Sequence, residues 1–467
     1  MSGTTAEPLG GPDPSSTARW LERHRPDLHP AYLRELPAAR AAIHRRLVTA
    51  LHREHLDGPE SSDPADILRA MGHDRFAAEV DNSVANLALA QATQPRPDGG
   101  PPALTRPTPP HWEQLVVDGH PLHPGCRTRS GMTTEDVLAY APEHRTVVDL
   151  VQVAVPEDRW HTTGEGLPPL LHLHPWQADR IADDTLRRVG TRPARPLMSL
   201  RTLAPLDDPT LHLKTAIDAQ LTSAVRTVSP AAVENGPNLT GLLQELTKNV
   251  TILREYAAGA VLTDGRPDRR LAVVHRQAPP PEAIPVGALS APSPADGAPL
   301  AREAVRLAYA GDPRPFLTDL TRLLVTGPLE LLDRGIGLEA HGQNTLVTLD
   351  RGRPDRLWYR DVGGIRIDPR IQNLPPLHGD LTAADPDEPE TTLLAALTVV
   401  FGQLVATLAG ATETSPDQLW AAIAKTAGDR LTRRDALPIK ATTTMRLAAD
   451  PLEPRWAYVP NPLLEHR

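Results

Sequence analysis

The stretch at residues 95–110, PRPDGGPPALTRPTPP, is the strongest constraint on how this chain can fold. Proline has no backbone N–H and a fixed φ, and glycine is costly to order, so such a run neither propagates a helix nor sits inside a sheet. It separates two kinds of text. Residues 1–94 read as helical: in AARAAIHRRLVTALHREHL (38–56), Ile43, Leu47, Leu51 and Leu56 fall near one face with arginines opposite. From residue 111 onward, short apolar runs such as TVVDLVQVAV (146–155) alternate with polar turns and read as strands, as do 211–217 (LHLKTAI) and 271–275. A second proline-rich stretch, 278–299, is expected to form an exposed loop. Helical periodicity returns over 316–334, where Pro328 is expected to kink the helix. Residues 346–349 and 357–359 then read as two strands of a hairpin, and 391–411 and 416–425 as helices. The pattern mixes helical and strand segments without an internal repeat.

Composition narrows the class. A chain of 467 residues suggests two to four structural units at roughly 100–200 residues each. Aromatic residues make up 3% of the chain, so aliphatic side chains must build the core. The one cysteine, Cys126, allows no intrachain disulfide and excludes a cysteine-rich zinc site, which fits a reducing, cytoplasmic setting. A net charge of −9 argues against a nucleic-acid partner, because nonspecific binding needs a basic footprint. The polar start, MSGTTAEPLGGPDPSSTARW, has no apolar core of a secretory signal. The longest apolar run, 393–411, is interrupted by Gln403 and Thr407, so a buried helix is expected there rather than a membrane span. Only Lys214, Lys248, Lys425 and Lys440 are lysines among 49 basic residues. Arginine serves wherever charge alone is wanted, which draws attention to each lysine.

Four clusters place unusual polar residues in apolar surroundings. In GHPLHPGCRTRSG (119–131), Arg127 and Arg129 alternate, as they would on one side of an extended segment, and two guanidinium groups suit an anionic ligand. His120 and His123 suggest a metal, but no third ligand stands near. In HLHPWQ (172–177), Trp176 reads as core and Gln177 as a partner for buried backbone. The third cluster joins SLRT (199–202) to KTAIDAQLTSAVR (214–226). Lys214 sits mid-strand among apolar residues, where an unpaired ammonium is costly and an anionic partner would remove the cost. Thr222, Ser223 and Arg226 read as the start of a helix, a place that attracts anions. The fourth is EAHGQN (339–344), a strand, then RDVGG (360–364). Glu339, Gln343, Asn344 and Asp361 are all oxygen donors, a set that suits Mg²⁺ beside nucleotide phosphates, with His341 among them. An asparagine-bearing loop and an aspartate-bearing turn around a strand is also the kinase arrangement.

No Walker A sequence, GxSxG or dinucleotide fingerprint is present. Taken in order, GHPLHPGCRTRSG, HLHPWQ, SLRT, KTAIDAQLTSAVR, EAHGQN, RDVGG and LPIKATTTMRL (437–447) resemble the NRPS-independent siderophore (NIS) synthetases of the aerobactin-synthetase type. The resemblance runs from about residue 119 to 447 and leaves the first 110 residues without a matching motif. It implies a hand-like α+β fold in three parts: a helical thumb at 1–110, β-rich fingers at 111–255 and a palm at 256–467. It implies ATP and Mg²⁺, adenylation of a carboxylic acid with citrate as first guess, then attack by an amine, hydroxylamine or alcohol. A homodimer without nucleic-acid or membrane partners is expected. By position, Ser199, Arg201, Thr202 and Lys214 would line the nucleotide. Arg226 and His341 would contact phosphate and acid, and with Lys214 would carry catalysis. Glu339, Gln343, Asn344 and Asp361 would surround the metal. Arg127, Arg129, Thr222, Ser223, Lys440 and Arg446 would face the acid or the nucleophile. Arg127 stands where the family often has lysine, which keeps charge and changes donor geometry.

Two other functions fit parts of the pattern. A small-molecule phosphotransferase would use the HGQN loop and RDVGG as its magnesium site, but that loop has no acid to accept a hydroxyl proton. A non-catalytic ligand-binding homologue would keep the fold and lose the chemistry; the intact SLRT, Lys214 and EAHGQN set argues against it.

Overall fold

The computed structural model describes residues 11–109, 111–222, 224–371, 374, 376–448, 450 and 453–466. Ser223 of the expected substrate contacts lies outside them. The chain begins with four helices, Pro14–His24 (α1), His29–Arg53 (α2), Pro64–Ala70 (α3) and Asp74–Ala92 (α4). Asp13 and Asp63 cap α1 and α3 by accepting the Ser16 and Ala65 amides at 2.8 and 2.9 Å, and proline stands in the first turn of α1, α2 and α3, where its missing N–H costs nothing. Ile43, Leu47 and Leu51 are buried along α2 as the periodicity predicts, and Leu56 packs at the margin of the same core. That core continues into the next part of the chain through Cys126, Met132, Trp176, Ile217 and Leu221, so the helical region is not a separate globule. The short helix Thr134–Tyr140 (α5) follows with a reciprocal capping box between Thr133 and Asp136.

A large antiparallel sheet forms the middle. Its strands are Val148–Ala154 (β1), Trp160–Gly164 (β2), Leu170–Leu173 (β3), Arg187–Pro196 (β4), Thr202–Pro205 (β5) and Leu211–Thr215 (β6). After the hairpin Ile217–Leu221 (β7) and Ala224–Arg226 (β8) and the short strand Thr251–Ile252 (β9), the sheet takes in Glu255–Thr263 (β10) and Arg266–Gln277 (β11). The order is β2-β10-β11-β6-β5-β4-β1-β3, so two strands past residue 255 belong to the fingers sheet. Alternation along β6 decides the site. Leu211 and Leu213 point into one core with Leu203, Leu271 and Val273, which puts His212 and Lys214 on the opposite face. That second face packs Ala258, Ala260, Ala272 and Val274 under the helix Pro230–Leu246, α7 after the single-turn helix Pro175–Ala178 (α6).

The C-terminal part holds the largest core. It packs Leu300–Ala308 (α8), Pro313–Leu332 (α9), Glu388–Ala411 (α10) and Pro416–Ala427 (α11) around a four-stranded sheet. That sheet runs in the order Ile284–Pro285 (β12), Thr345–Asp350, Arg353–Tyr359 and β9. Residues 345–350 and 353–359 form the predicted antiparallel hairpin, and Pro328 lies inside α9. Helix α10 is long and apolar enough to cross a membrane by length and composition, with a mean hydropathy of 2.0, yet Leu393, Leu394, Leu397, Phe401 and Leu404 are buried in this core.

Two expectations are corrected. Residues 278–299 are not an exposed loop. Ala283, Ile284, Val286, Ala288 and Leu289 are buried, because the apolar residues between the prolines pair with the hairpin and pack on α8 and α10. The segment 222–226 does not start a helix. Thr222 takes a left-handed φ of 63° in the tight turn joining β7 to β8, and the helix begins only at Pro230, capped by Ser229.

Candidate functional site

The unpaired ammonium that the sequence makes costly has a partner. Lys214, on the polar face of β6, donates to Asp361 Oδ1 at 2.7 Å, with side chains 5% and 31% exposed. Asp361 sits directly after the hairpin with a left-handed φ of 70°, a conformation that a short polar side chain tolerates better than most. Burial would raise its pKa, but the Lys214 ammonium, Arg276 and Arg201 outweigh it and hold the carboxyl well below the usual range. Thr202 lies opposite Lys214 in the β5–β6 register, and Ser199 Oγ bonds Thr202 Oγ1 at 2.9 Å. Both hydroxyls therefore stand beside the ion pair. Arg201 reaches across to the Thr227 carbonyl at 2.6 Å, which ties SLRT to the end of β8. Burial lowers its pKa to about 10, and burial lowers that of Arg226 while Asp361 and Glu339 counter it.

The EAHGQN loop is held against this face by Arg360. Its guanidinium makes two hydrogen bonds to Glu113, at 2.6 and 2.9 Å, and two to the Gln343 carbonyl, at 3.1 and 2.9 Å. Gln343, Asn344 and Asp361 consequently line one small crevice with Ser199, Thr202, Arg276 and Glu113. His341 Nδ1 accepts the Gln343 amide at 3.3 Å, its Nε2 lies 3.3 Å from the Asn344 side-chain amide nitrogen, and burial lowers its pKa, which favours the neutral ring. The Glu339 carboxylate lies over Gly364, where a Cβ would overlap it, and its Oε1 is 3.6 Å from Lys440 Nζ. A side chain at 364 would displace that carboxylate.

Other expected site residues are engaged elsewhere. Arg127 and Arg129 do converge on one anion, but it is the fully buried Glu143, at 3.2 and 3.4 Å. Arg127 also donates to the Val116 and Val117 carbonyls, in a turn rather than an extended segment. Arg446 pairs with buried Glu79 of α4. Thr222 donates its amide to Thr128 and shapes the hairpin turn. In HLHPWQ, His174 caps α6, Trp176 is buried and Gln177 Oε1 accepts the Asp218 amide at 2.8 Å, as a structural role predicts.

Sequence reasoning missed Glu113, Arg276 and Glu255, and it gave Arg360 no role. Glu255 and Arg276 pair across β10–β11 on the Lys214 face. Burial raises the pKa of Glu255 against the pull of Lys214, Arg276 and Arg201. Strand alternation from Lys214 would have placed Arg276 and Glu255 on that face had the register been known.

The donor set fits magnesium. Among the described residues no group of three or more His, Cys, Asp or Glu side chains gathers as a metal cluster. The Asp361 carboxylate instead shares a crevice with the amides of Gln343 and Asn344, and the Glu339 carboxylate meets the same RDVGG turn at Gly364. That is hard oxygen chemistry with few protein charges, which suits an ion shared with phosphates.

Two sequence families match. The IucA / IucC family matches residues 109–167 and 169–291. A family described as ferric iron reductase FhuF-like transporter matches residues 314–467. Staphyloferrin A synthase from Staphylococcus aureus (strain NCTC 8325 / PS 47) is 28% identical over 308 residues, covering 55% of this chain and 52% of that protein. D-ornithine--citrate ligase from the same organism is 24% identical over 385 residues, covering 64% and 58%. Aerobactin synthase from Escherichia coli is 26% identical over 343 residues, covering 58% and 59%. The chain thus matches little more than half the length of these relatives. The fold matches petrobactin biosynthesis protein AsbB from Bacillus anthracis str. Sterne with a TM-score of 0.78 at 18% identity, over 94% of this chain and 98% of that one. It matches ATP-bound aerobactin synthetase IucA from Klebsiella pneumoniae with a TM-score of 0.69 at 18% identity, over 90% and 86%. With the seven motifs in order on that fold, the chain is similar to the NRPS-independent siderophore synthetases, and its residues 109–167 and 169–291 match the IucA / IucC family.

Proposed function

We propose that this chain is an ATP-dependent synthetase. It adenylates a di- or tricarboxylate, citrate first, and passes the acyl group to an amine, hydroxylamine or alcohol in siderophore or related natural-product assembly. The observation that supports this most is the Lys214–Asp361 pair, with the charges of Arg201, Arg226 and Arg276 acting on Asp361 and the amides of Gln343 and Asn344 sharing its crevice.

A carboxylate is a poor electrophile because oxide would have to leave. In the proposed first step a carboxylate oxygen bonds to the α-phosphorus of ATP and pyrophosphate departs. In the second the nucleophile bonds to the acyl carbon, AMP departs and the nucleophile loses a proton. The first step joins two anions, and like charges ~4 Å apart repel by about 4 kcal/mol at an effective dielectric of ~20. Lys214, Arg201 and Arg226 offset that repulsion, and Ser199 and Thr202 offer hydroxyls to orient phosphate oxygens. His341, neutral, offers a ring nitrogen to the acid or phosphate without adding charge. Magnesium held by Glu339, Gln343, Asn344 and Asp361 would neutralise phosphate charge. Rate enhancement then comes from positioning and fixed electrostatics.

A phosphotransferase shares the magnesium layout but needs a proton acceptor for its hydroxyl substrate. The HGQN loop supplies no acid, and the nearby carboxylates Glu339 and Asp361 lie against Lys440 and Lys214. Product analysis tests the proposal: AMP and pyrophosphate support it, and ADP overturns it.

A further inference from the structure

Helix α2 of the N-terminal bundle carries an arginine that no motif includes and whose enclosed Nε and Nη2 make no hydrogen bond among the described residues. We propose that Arg53 is the carboxylate-binding residue through which the N-terminal bundle completes the acid pocket, a role that rests on the acid activation proposed above.

The placement follows from how α2 is pinned. Upstream, Arg46 donates to the Asp118 carbonyl at 3.0 Å and to the Cys126 sulfur, which fixes the helix against the loop bearing His120. Downstream, Glu54 accepts from the Thr443 and Thr444 amides and the Thr444 hydroxyl at 3.3, 2.6 and 2.9 Å, which fixes it against the segment that follows Lys440. Arg53 lies seven residues after Arg46, about two turns along the same face. It therefore stands between the His120 loop and the Lys440 segment. Lys440 in turn faces Glu339, two residues before His341. His120 keeps contact with solvent although protein surrounds it. Desolvation by the surrounding protein and then the positive charges of Arg46, Arg53 and Lys440 act on it and lower its pKa.

Arg53 is 11% exposed at its side chain, and its Nε and Nη2 are enclosed without a hydrogen-bond partner among the described residues. Glu54 Oε1 is 3.8 Å from Nη2, beyond hydrogen-bond length, and that carboxylate already accepts three hydrogen bonds from 443–444. The Thr442 and Thr443 hydroxyls and His123 Nε2 are likewise enclosed without partners. Leaving such donors unmade is costly, and burial lowers the Arg53 pKa accordingly. Four other enclosed arginines have carboxylate partners: Arg127 and Arg129 share Glu143, Arg360 holds Glu113 and Arg446 holds Glu79, while Arg129 Nε and, on the Lys214 face, Arg276 Nε are also enclosed without a partner among the described residues. A guanidinium with parallel free donors fits a carboxylate. A second cation, Lys440, fits an acid with at least two carboxylates.

Calorimetric titration of the full chain with citrate, succinate and 2-oxoglutarate tests this. The wild type binds at least one of these acids, and Arg53→Gln weakens that binding by about tenfold or more, the loss of a charged hydrogen bond. ATP affinity is unchanged. Without acid, Arg53→Gln melts at the wild-type temperature or above, because an unpaired charge has been removed; a merely structural arginine would lower it. Arg53→Lys folds with its charge kept and still loses acid affinity, since it lacks the paired donors. Wild-type acid affinity in either variant, no binding of any of the three acids by the wild type, or loss of melting temperature in Arg53→Gln overturns the proposal. Pyrophosphate release measured in parallel separates the two readings. Arg53-dependent citrate binding without release removes only adenylation, and release unaffected by Arg53→Gln removes only the Arg53 pocket.

Discussion

Arg360 and Glu113 are joined by two hydrogen bonds, of 2.6 and 2.9 Å, across 247 residues of chain, with side chains 4% and 9% exposed. Glu113 also accepts the Met198 amide at 3.0 Å, and Arg360 donates to the Gln343 carbonyl. One ion pair thus sets the mutual position of SLRT, EAHGQN and Asp361. Removing either partner leaves an uncompensated buried charge, which costs about 3–5 kcal/mol. Glu113→Gln and Arg360→Met are each expected to lose roughly that much in urea unfolding, and the double variant less than their sum.

The same pair gives an acid limb. Burial opposes ionisation of Glu113, but Arg360 outweighs it and holds the pKa at about 2, against 4.5. A depressed carboxyl pKa stabilises the fold above the unfolded value and loses that contribution as pH falls through the folded one. Wild-type stability should therefore fall between about pH 4.5 and 2, with a shallower slope for Glu113→Gln.

A second limb begins higher. Burial pushes His172 and His275 to about 4 and His174 and His212 to about 3, against 6.5. Between those values the unfolded chain binds protons that the folded chain refuses, so stability declines as pH falls from about 6.5 towards 4. Replacing His212 with glutamine should flatten this part of the curve measured by thermal unfolding.

Glu143 tests the reassignment of Arg127 and Arg129. Glu143→Gln leaves two buried guanidinium groups short of a counter-ion, so a loss of about 3–5 kcal/mol in unfolding free energy is expected, with the KM for acid unchanged in the folded fraction. A changed KM at unchanged stability would return both arginines to the substrate.

Local readings succeeded where the physics was local. Lys214 needed an anion because of its apolar strand, and Asp361 supplies it; the hairpin around residue 351 was visible in its alternation. What failed needed partners distant in sequence. Nothing in the spacing of Glu113 or Arg360 announces the other, and Arg127 and Arg129 read as ligand donors only while Glu143 was unseen. The turn at Thr222 was mistaken for a helix start because it lacks the glycine or asparagine that usually marks a two-residue hairpin. In 278–299 the prolines concealed the alternating apolar residues that the core takes up.

The adenylation reading makes its sharpest demand on products. Wild-type protein with Mg·ATP, citrate and a diamine or hydroxylamine is expected to release pyrophosphate and AMP in equal amounts, only when acid is present. Arg226→Ala and His341→Ala should each reduce this release by at least about a hundredfold, equivalent to ~2.7 kcal/mol of barrier, while the fold survives. ADP in place of AMP, or full release by both variants, would contradict the account.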